Sequence, residues 1–465
     1  MEASNWFRLK ACFYFTIFFL SSPFYLFLTP VLWVCGNIFR ALRGTKPSNS
    51  SVLLDPKLRR TVLVTDTPNT KTLNVLRVLG KVGHRVILVD SNQYKNNGAS
   101  WSKYATRTIY VSHHNGRTRD KYIDEVVQVA LNENVDWFIP ISKTQSAIPN
   151  YIVEQKLAQL RPQIRCFGFG DIELAKLLDH KSAFLVRCKE LGLSVPDHRV
   201  ISGIEDLRNL RQQNLFEKRH YFLKTIGFYG EDRLNFKRIP HELDAFNEYV
   251  KYYEHKLTSD DSYFVCEFIK GSEFTSNAIC RDGEVFSLEV LPTSCHQMEF
   301  DIIENNAVRE WTLEFCRKMK ISGGLCFDFM QDDVTGKVYC IECNPRLHSS
   351  ISLHHCNPKL ATAFQAALEP ESVQKGAVEF PIEPPKDTPR VYWMYLEFHK
   401  LFSGRQGVCG FLWNLIYGRD AVYDNDDPLP FVISNTLHPL VQLKREIING
   451  APFGIFNPVI GRMSR

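Results

Sequence analysis

Three oxygen-bearing side chains in one short stretch have the types and spacing of a divalent-cation site. Asp328 lies in the first of two predicted strands, and Glu342 and Asn344 lie at the end of the second. Because side chains alternate along a strand, Glu342 and Asn344 share one face. Mg²⁺ prefers such oxygen ligands and leaves room for phosphate oxygens. The pattern predicts a Mg²⁺ site, with Mn²⁺ as an alternative ion, that also receives phosphate.

A hairpin must bring these side chains together. The predicted strands are 325–331 and 337–343, and the turn lies at 332–336. If Gln331 pairs with Lys337, Asp328 faces Cys340 and has Glu342 as its diagonal neighbour, about 7–8 Å away.

Two other features of this hairpin concern chemistry. Arg346 follows the second strand, and its planar guanidinium is suited to phosphate. Cys340 and Cys343 form a C-x-x-C pair, the spacing of redox and zinc motifs. Residues three apart on a strand point to opposite faces, so we expect neither chemistry here.

Two lysines precede the hairpin in chain order. Lys181 lies in a predicted helix at 171–192, and Lys224 lies in a short predicted strand at 221–225. Lysines usually keep the ammonium in water while the stem packs on apolar surface. Lys224 is the stronger functional candidate, because the segments on both sides of it look buried.

The sequence after the N-terminal segment predicts an open α/β sheet. Strands are predicted at 61–66, 84–90, 136–142 and 164–170, with a helix at 70–82 between the first two. No G-x-G-x-x-G follows the first strand, so the dinucleotide fingerprint is missing. We expect a Rossmann-like domain that serves another purpose.

The elements after this domain are mixed. The sequence predicts a strand at 263–269, a hairpin of 276–280 with 285–290, and a helix at 307–319. Two aromatic-rich helices follow at 391–402 and 408–417, and they either pack on the body or rest on a bilayer interface. The acids at 424–427 are adjacent in sequence, which indicates a capped turn rather than a metal site.

The N-terminal segment differs from the rest. Residues 11–39 form an almost uncharged apolar run, longer than the roughly 20 residues that span a bilayer. Basic residues are more numerous after the run than before it, which favours a cytosolic catalytic body. Pro23 and Pro30 leave a spanning and a re-entrant anchor both open. A cleaved signal peptide is the alternative, but the run is long for one and shows no small-x-small site.

Size and composition fit a soluble catalytic body behind that segment. The chain has 465 residues, 44% hydrophobic and 23% charged, which is enough for two or three domains. The net charge of +5 does not call for a nucleic acid partner. The 13 cysteines are odd in number and scattered, which suits a reducing compartment.

The order of these features resembles the ATP-grasp superfamily. A βαβ front domain, two lysines, a strand ending near Glu273, and Asp328 followed by Glu342-x-Asn344 come in the order of that superfamily. Within it, the chain is similar to the ligases that attach glycine to 4-deoxygadusol to form mycosporine-glycine. The similarity includes the hydrophobic N-terminus, FDF at 327–329, IECNPRLHS at 341–349 and DDPLPF at 426–431.

The resemblance implies a fold and a division of the chain. The expected fold is α/β and α+β: an ATP-grasp domain at 171–380 behind a Rossmann-like pre-ATP-grasp domain at 59–170. Residues 1–58 would be a membrane anchor with its linker, and 381–465 an aromatic-rich helical extension. The expected partners are ATP, an amino acid, a cyclohexenone and, through the N-terminal segment, a membrane.

The resemblance also assigns roles to residues. Lys181 and Lys224 would bind ATP phosphates, and Glu273 would hold the ribose hydroxyls. The remaining assignments are the adenine hinge at Glu267, Phe268 and Ile269, Mg²⁺ at Asp328, Glu342 and Asn344, the transferring phosphate at Arg346, and the nucleotide-covering loop at Arg233.

Two departures from the common pattern bear on mechanism. The loop after Lys224 has only Gly227 and Gly230, so phosphate binding by backbone N–H groups is less clear, and Arg233 would supply charge instead. Cys326 stands where carboxylate–amine ligases often carry an arginine. That substitution argues against an intermediate that needs this oxyanion donor.

The expected reaction is phosphorylation of an enol oxygen of the cyclohexenone, followed by attack of the amino acid's amine. Such chemistry requires positioning and electrostatics rather than a protein nucleophile. His348 is the nearest titratable candidate for deprotonating the amine, although it could only position substrate, and His354 and His355 are equivalent candidates. The alternatives are a carboxylate–amine ligase that forms an acyl phosphate, and a non-catalytic, membrane-tethered ATP-binding protein.

Overall fold

The computed structural model describes most of the chain. The described residues are 16, 19–34, 53–66, 68–113, 116–141, 147–226, 237–257, 263–293, 298–355, 357–374, 376, 378–449, 456–460 and 462–463. The first helix, α1, covers 19–34.

The front domain is a parallel sheet with helices packed on it. Its strands, in the spatial order β3-β2-β1-β4-β5, are β1 (Thr61–Thr65), β2 (Arg85–Ser91), β3 (Ala105–Val111), β4 (Trp137–Ile139) and β5 (Arg165–Cys166). Its helices are α2 (Thr70–Lys81), α3 (Arg119–Asn132) and α4 (Ala147–Leu160). Val62, Leu63 and Val64 are fully buried, because helices cover both faces of a parallel sheet. The predicted open α/β sheet is confirmed, and β3 is a further strand that the sequence analysis did not include.

A second unit of helices and a small sheet follows. Its helices are α5 (Ile172–Asp179), α6 (Lys181–Glu190), α7 (Ile204–Gln212), α8 (Leu215–Lys218) and α9 (Leu243–Tyr253). The antiparallel sheet, in the order β6-β8-β7, contains β6 (His198–Val200), β7 (Tyr221–Thr225) and β8 (Tyr263–Glu267).

The predicted single helix at 171–192 is wrong, because the structure has two helices there. The Asp171 side chain caps α5, but the chain turns to an extended conformation at His180. The imidazole Nδ1 of His180 then accepts a hydrogen bond from Ala183 N–H at 3.2 Å and caps α6. Lys181 is therefore the first residue of a helix rather than a mid-helix residue.

The central antiparallel sheet carries the predicted metal residues. Its strands, in the order β10-β9-β12-β13, are β9 (Gly271–Arg281), β10 (Glu284–Pro292), β12 (Gly323–Asp332) and β13 (Val338–Asn344). Asp282 and Gly283, both with positive φ, form the two-residue turn between β9 and β10. Helix α10 (Asn306–Met319) covers one face, the short strand β11 (Glu299–Phe300) precedes it, and α11 (Lys359–Leu368) follows the sheet in sequence.

The predicted register of the β12–β13 hairpin is wrong, because the pairing is shifted and contains a β-bulge. Gln331 pairs with Val338, and a register shift between Asp328 and Phe329 then places Asp328 directly opposite Glu342. The extra residue in β13 changes the alternation of faces. Cys340 therefore lies in the core under α10 with Cys343, rather than beside Glu342.

The C-terminal part is built onto the front domain. It contains β14 (Val391–Tyr392), α12 (Met394–Phe402), α13 (Val408–Tyr417), β15 (Arg419–Asp420), α14 (Leu429–Asn435), α15 (Leu437–Ile448), β16 (Phe456–Asn457) and β17 (Arg462–Met463). Strand β14 joins β11 to β15 in a three-stranded sheet. Val391, Trp393 and Phe431 share one core with α2.

The predicted anchor at 11–39 lies partly outside the described residues. In the part that is described, α1 packs Tyr25 against Phe398 of α12 and Phe431 of α14, with ring centroids 6.4 and 5.8 Å apart. Among the described residues, no helix has the length and apolar character that crossing a bilayer requires.

Candidate active site

Asp328 and Glu342 form a close pair of carboxylates on the open face of the central sheet. Each belongs to one strand of the bulged hairpin, and the two residues are directly paired. Asp328 is only 6% exposed, and its Oδ1 accepts a hydrogen bond from Thr275 Oγ1 at 2.8 Å. Burial and the neighbouring Glu342 carboxylate raise the pKa of Asp328 to about 8. Two carboxylates held this way repel each other until a cation or a proton lies between them.

Asn344 completes the predicted set. Its Nδ2 lies 3.4 Å from Asp328 Oδ2 and 3.5 Å from Glu342 Oε1. A half-turn of the amide would present Oδ1 to the same point, so the set can offer three oxygen donors. Among the described residues, no group of three His, Cys, Asp or Glu side chains is placed to hold a metal, so the site depends on these two carboxylates and one amide. Such hard oxygen donors fit Mg²⁺.

Both predicted lysines point into the same cleft. Lys181 Nζ lies 3.8 Å and Lys224 Nζ 3.9 Å from Glu342 Oε2. Their side chains are 7% and 11% exposed, and Lys224 also donates to the Ile341 carbonyl at 3.2 Å. The two ammonium groups come from the start of α6 and from β7, so the cleft is assembled from separate elements. Buried cations next to a metal-type carboxylate pair are suited to a polyphosphate.

Glu273 lies at the edge of this cleft. Desolvation and the Glu342 carboxylate raise its pKa, and the Lys224 ammonium opposes that shift. The charges of Glu273, Glu342 and Lys224 therefore interact. The ribose contact assigned to Glu273 stays a prediction.

The hinge predicted to bind adenine follows β8. The N–H of Glu267 donates to the Asp197 carbonyl, and the N–H of Phe268 donates to the His220 carbonyl, each at 2.8 Å. The Glu267 carboxylate accepts from Arg219 Nη1 at 3.0 Å, so its side chain faces away from the carboxylate pair. Two of the three hinge N–H groups thus already donate to backbone carbonyls. An adenine at the hinge would therefore accept its hydrogen bond from the N–H of Ile269.

Arg346 lies at the end of the cleft toward the front domain. Its positive charge lowers the pKa of Asp179, although burial, the larger effect, raises it. The Glu342 carboxylate also raises the pKa of Asp179 and the Lys181 ammonium lowers it, so the Asp179 carboxyl interacts with the charges of the cleft. Asp179 was not predicted from the sequence.

His348 is held in a way that does not suit a general base. Its Nδ1 accepts a hydrogen bond from Ser350 N–H at 3.2 Å, and its ring packs edge-on against Phe300. Burial, together with the charges of Lys71 and Arg346, lowers the pKa of His348 to about 3. The imidazole is neutral, and because Nδ1 is an acceptor, Nε2 carries the proton. That tautomer donates a hydrogen bond, so it fits a positioning role.

His354 and His355 lie outside the cleft. His354 is fully buried and its Nε2 lies 2.8 Å from Glu289 Oε1. His355 Nε2 lies 3.3 Å from Asp424 Oδ2, and burial lowers its pKa. Both histidines fix the segment after Arg346, and the expectation that they are equivalent to His348 is wrong.

A buried lysine of the front domain was also missed. Lys71, in the first turn of α2, is 6% exposed, and its Nζ donates to the Leu347 carbonyl at 2.7 Å. Tyr151 Oη donates to the Pro345 carbonyl from α4. Two helices of the front domain therefore hold the segment that carries Arg346 and His348. Lys71 follows a polar turn and resembles an ordinary helix start, so its contact could not be predicted from residue type.

Arg233 lies in 231–236, outside the described residues, and its assigned role stays a prediction. The same holds for Gly227 and Gly230.

Comparisons with known proteins bear on the fold. No family model matches the chain, and neither does any curated protein. Among solved structures, biotin carboxylase from Campylobacter jejuni in complex with βγ-ATP is similar, with a TM-score of 0.51 and 16% identity over 72% of this chain and 75% of that one. The chain has an ATP-grasp fold.

Other solved structures agree with this fold. The biotin carboxylase domain of Hydrogenobacter thermophilus 2-oxoglutarate carboxylase, bound to MgADP and bicarbonate, matches with a TM-score of 0.50 and 14% identity, over 67% of this chain and 70% of that one. An L-amino acid ligase from Bacillus licheniformis has a TM-score of 0.46 and 13% identity, over 67% of this chain and 74% of that one. The likenesses to the two biotin carboxylases, with TM-scores of 0.51 and 0.50, support the predicted ATP-grasp fold.

Proposed function

We propose that this ATP-grasp protein is an ATP- and Mg²⁺-dependent ligase that joins an amino acid, with glycine favoured, to 4-deoxygadusol. The observation that carries the catalytic part is the meeting of Lys181, Lys224 and Asp328 around Glu342 in one cleft. A protein that only bound nucleotide would not need a carboxylate pair at such an electrostatic cost. The fold supports ATP as the nucleotide.

Different charged groups would bind different parts of the triphosphate and its metal ion. Lys181 and Lys224 would bind phosphate oxygens, and Asp328, Glu342 and Asn344 would hold Mg²⁺, which neutralises charge on the phosphoryl group when bound. Arg346 would meet the phosphate as it leaves ATP. These assignments use groups that are already fixed by helix, strand or hairpin, as electrostatic catalysis requires.

The acceptor and the amine come from the sequence resemblance at 341–349 and 426–431. In the proposed reaction, an enol oxygen of the cyclohexenone attacks the γ-phosphorus and ADP leaves. The amine of glycine then adds to the conjugated carbon that bears the phosphate, the C–O bond breaks, and inorganic phosphate and one proton are released. The new bond is C–N.

Cys326 distinguishes this route from the acyl-phosphate alternative. Its side chain lies two residues before Asp328 in β12, is 2% exposed, and carries no positive charge. Burial raises the pKa of its thiol well above the usual range, so it stays neutral. A carboxylate–amine ligase that uses an arginine here as oxyanion donor would lack that donor in this chain.

The proposal is tested with the purified full-length protein, ATP, Mg²⁺, 4-deoxygadusol and a panel of amino acids. We expect phosphate release and a new near-ultraviolet chromophore only when both the cyclohexenone and glycine are present. Phosphate release with an amino-acid carboxylate and a second amine, without cyclohexenone, would favour the acyl-phosphate ligase. ATP binding without phosphate release under every mixture would favour the non-catalytic alternative.

A further inference from the structure

Helix α1 presents an apolar face to the outside of the molecule. No charged residue lies in 19–34. Tyr25 and Thr29 face the body and are 3% and 8% exposed. Large apolar side chains on the remaining surface are at least 40% exposed, and they are Phe19, Leu20, Phe24, Leu26, Phe27, Val31, Trp33 and Val34. A helix that faces water normally carries charged or polar residues on its outer side.

Helix α13 has the same character. Its ten residues, VCGFLWNLIY, include no charge, and only Phe411 is buried. The outward side chains, each at least 49% exposed, are Val408, Leu412, Trp413, Ile416 and Tyr417. The outward apolar faces of two uncharged helices expose more contiguous apolar area than the scattered apolar residues of an ordinary protein surface.

The two faces adjoin through α12. Phe398 packs against Phe24 of α1 and against Phe411 of α13, each with ring centroids 5.1 Å apart. Phe402, one turn further, lies 6.1 Å from Phe398 and is 82% exposed. We call the outward residues of α1, Phe402 and the outward residues of α13 the α1–α13 surface.

The charges of the sequence on either side of α1 indicate what covers this surface. Between residues 3 and 54 the chain has no Asp or Glu, and its charged residues there are Arg8, Lys10, Arg40, Arg43 and Lys46. Arg405 lies between α12 and α13. A second copy of the chain would bring like charges together across a twofold axis, whereas anionic lipid headgroups complement them. Trp and Tyr on the surface also suit the bilayer interface.

We propose that the α1–α13 surface rests on an anionic bilayer, with both helices lying in the plane of the interface. Apolar side chains would enter the boundary between headgroups and acyl chains, and the basic residues would contact the headgroups. Anionic lipids are concentrated in the cytosolic leaflet, so the enzyme body would sit on the cytosolic face.

The test is flotation of the full-length protein with vesicles of phosphatidylcholine alone or with 30% phosphatidylserine, a mixture that carries a clear negative surface potential. We expect binding to the anionic vesicles that weakens as salt rises. The double variant Trp413→Glu with Ile416→Glu should lose at least about tenfold in partitioning, because two charges would have to enter the interface. Its thermal melting and its phosphate release in solution should match those of the wild type, since neither residue contacts the cleft or the core.

A matched control separates the surface from exposed apolar residues in general. Val334, in the β12–β13 turn, is 91% exposed and lies outside the surface, so Val334→Glu should bind vesicles like the wild type. Wild-type binding by the double variant would overturn the proposal. A wild-type dimer that ignores vesicles and dissociates in the double variant would also overturn it, in favour of a second copy as occupant. Vesicle binding and dimer formation are both measured without the ligase reaction, so neither result depends on the proposed function.

Discussion

At the scale of single residues, the paired carboxylates define the site. Asp328 and Glu342 are opposite each other on adjacent strands, and the raised pKa of Asp328 shows how unfavourable two charges are there without a cation. The Lys181 and Lys224 ammonium groups lie 3.8 and 3.9 Å from the Glu342 carboxylate. A divalent ion beside Asp328 would favour its ionised form and so lower its pKa.

Replacing Glu342 tests that arrangement. Glu342→Gln keeps the size of the side chain but removes the charge that faces both lysines and the ion. We expect ATP-dependent phosphate release to fall by at least about 10²-fold, because electrostatic stabilisation of phosphoryl transfer would be lost. Asp333→Asn, an exposed acid of the same hairpin, should leave turnover unchanged in the same phosphate assay. Equal activity of Glu342→Gln and wild type would remove the carboxylate from the mechanism.

The raised pKa of Asp328 predicts a pH dependence of stability without Mg²⁺. Between the ordinary carboxyl pKa near 4 and about 8, the folded protein keeps a proton that the unfolded chain releases, so the free energy of unfolding falls as pH rises. Asp328→Asn cannot ionise and should not show this loss. In urea titrations its stability relative to wild type should increase by on the order of 1–3 kcal/mol from pH 5 to pH 8. Parallel pH curves for the two proteins would contradict the assigned pKa.

At the scale of elements, the break between α5 and α6 places Lys181. The ring of His180 caps α6 through Ala183 N–H, so the lysine starts a helix whose N-terminal dipole also favours phosphate. The cap therefore helps to position a lysine of the proposed nucleotide site.

Removing the cap should weaken nucleotide binding as well as stability. His180→Ala should cost about 1 kcal/mol of folding free energy and raise the ATP dissociation constant several-fold. His180→Asn, which retains a capping oxygen, should restore both quantities. The measurements are thermal melting and calorimetric ATP titration. A loss of stability with unchanged ATP affinity in His180→Ala would show that the cap does not position Lys181.

The elements also show what the sequence could predict. Strands β1, β2, β7, β12 and β13 and helices α2 and α10 follow apolar periodicity, so their positions were predicted to within two residues. The bulge in β13 was not predicted, because an inserted residue leaves no mark in the composition and shifts the alternation of side chains only locally. The break at His180 was missed for a similar reason, since the sequence on both sides favours helix.

Residue types predicted the cleft better than spacing did. Asp328, Glu342, Asn344, Lys181 and Lys224 were identified by type and order, and the structure brings them together. Asp179 and Lys71 were missed because their role depends on packing between the front domain and the hairpin segment. The held tautomer of His348 likewise depends on a backbone contact with Ser350 that only the fold creates.

At the scale of the whole molecule, the C-terminal part is fastened to the front domain by buried ion pairs. Arg77 Nε lies 2.9 Å from Asp427 Oδ2, and Lys81 Nζ lies 2.7 Å from Asp424 Oδ2. Asp427 also accepts from Ser102 Oγ at 2.6 Å. The stretch at 426–431, which resembles the mycosporine-glycine-forming ligases, is therefore used for domain assembly in this structure. The acids at 424–427 lie in a turn, as the sequence predicted, and Asp424 Oδ1 accepts a hydrogen bond from Asp426 N–H at 2.8 Å.

Breaking this connection should destabilise the protein. Asp427→Ala leaves the Arg77 guanidinium buried beside fewer acceptors, and we expect a loss of about 3–5 kcal/mol in the free energy of unfolding. Asp124→Ala removes the partner of Lys156 on the surface and should cost less than about 1 kcal/mol. Urea denaturation measures both. A small effect of Asp427→Ala would show that the C-terminal part docks mainly through its apolar core.

The central claim is that ATP activates an oxygen of the cyclohexenone ring, and oxygen-18 transfer tests it most directly. The reaction is run with glycine and 4-deoxygadusol, the label being placed either on the ring oxygen or on the glycine carboxylate, and the released phosphate is analysed by mass spectrometry. The account predicts label in phosphate from the ring oxygen and none from the carboxylate. Label that arrives from the glycine carboxylate would contradict it and identify an acyl phosphate.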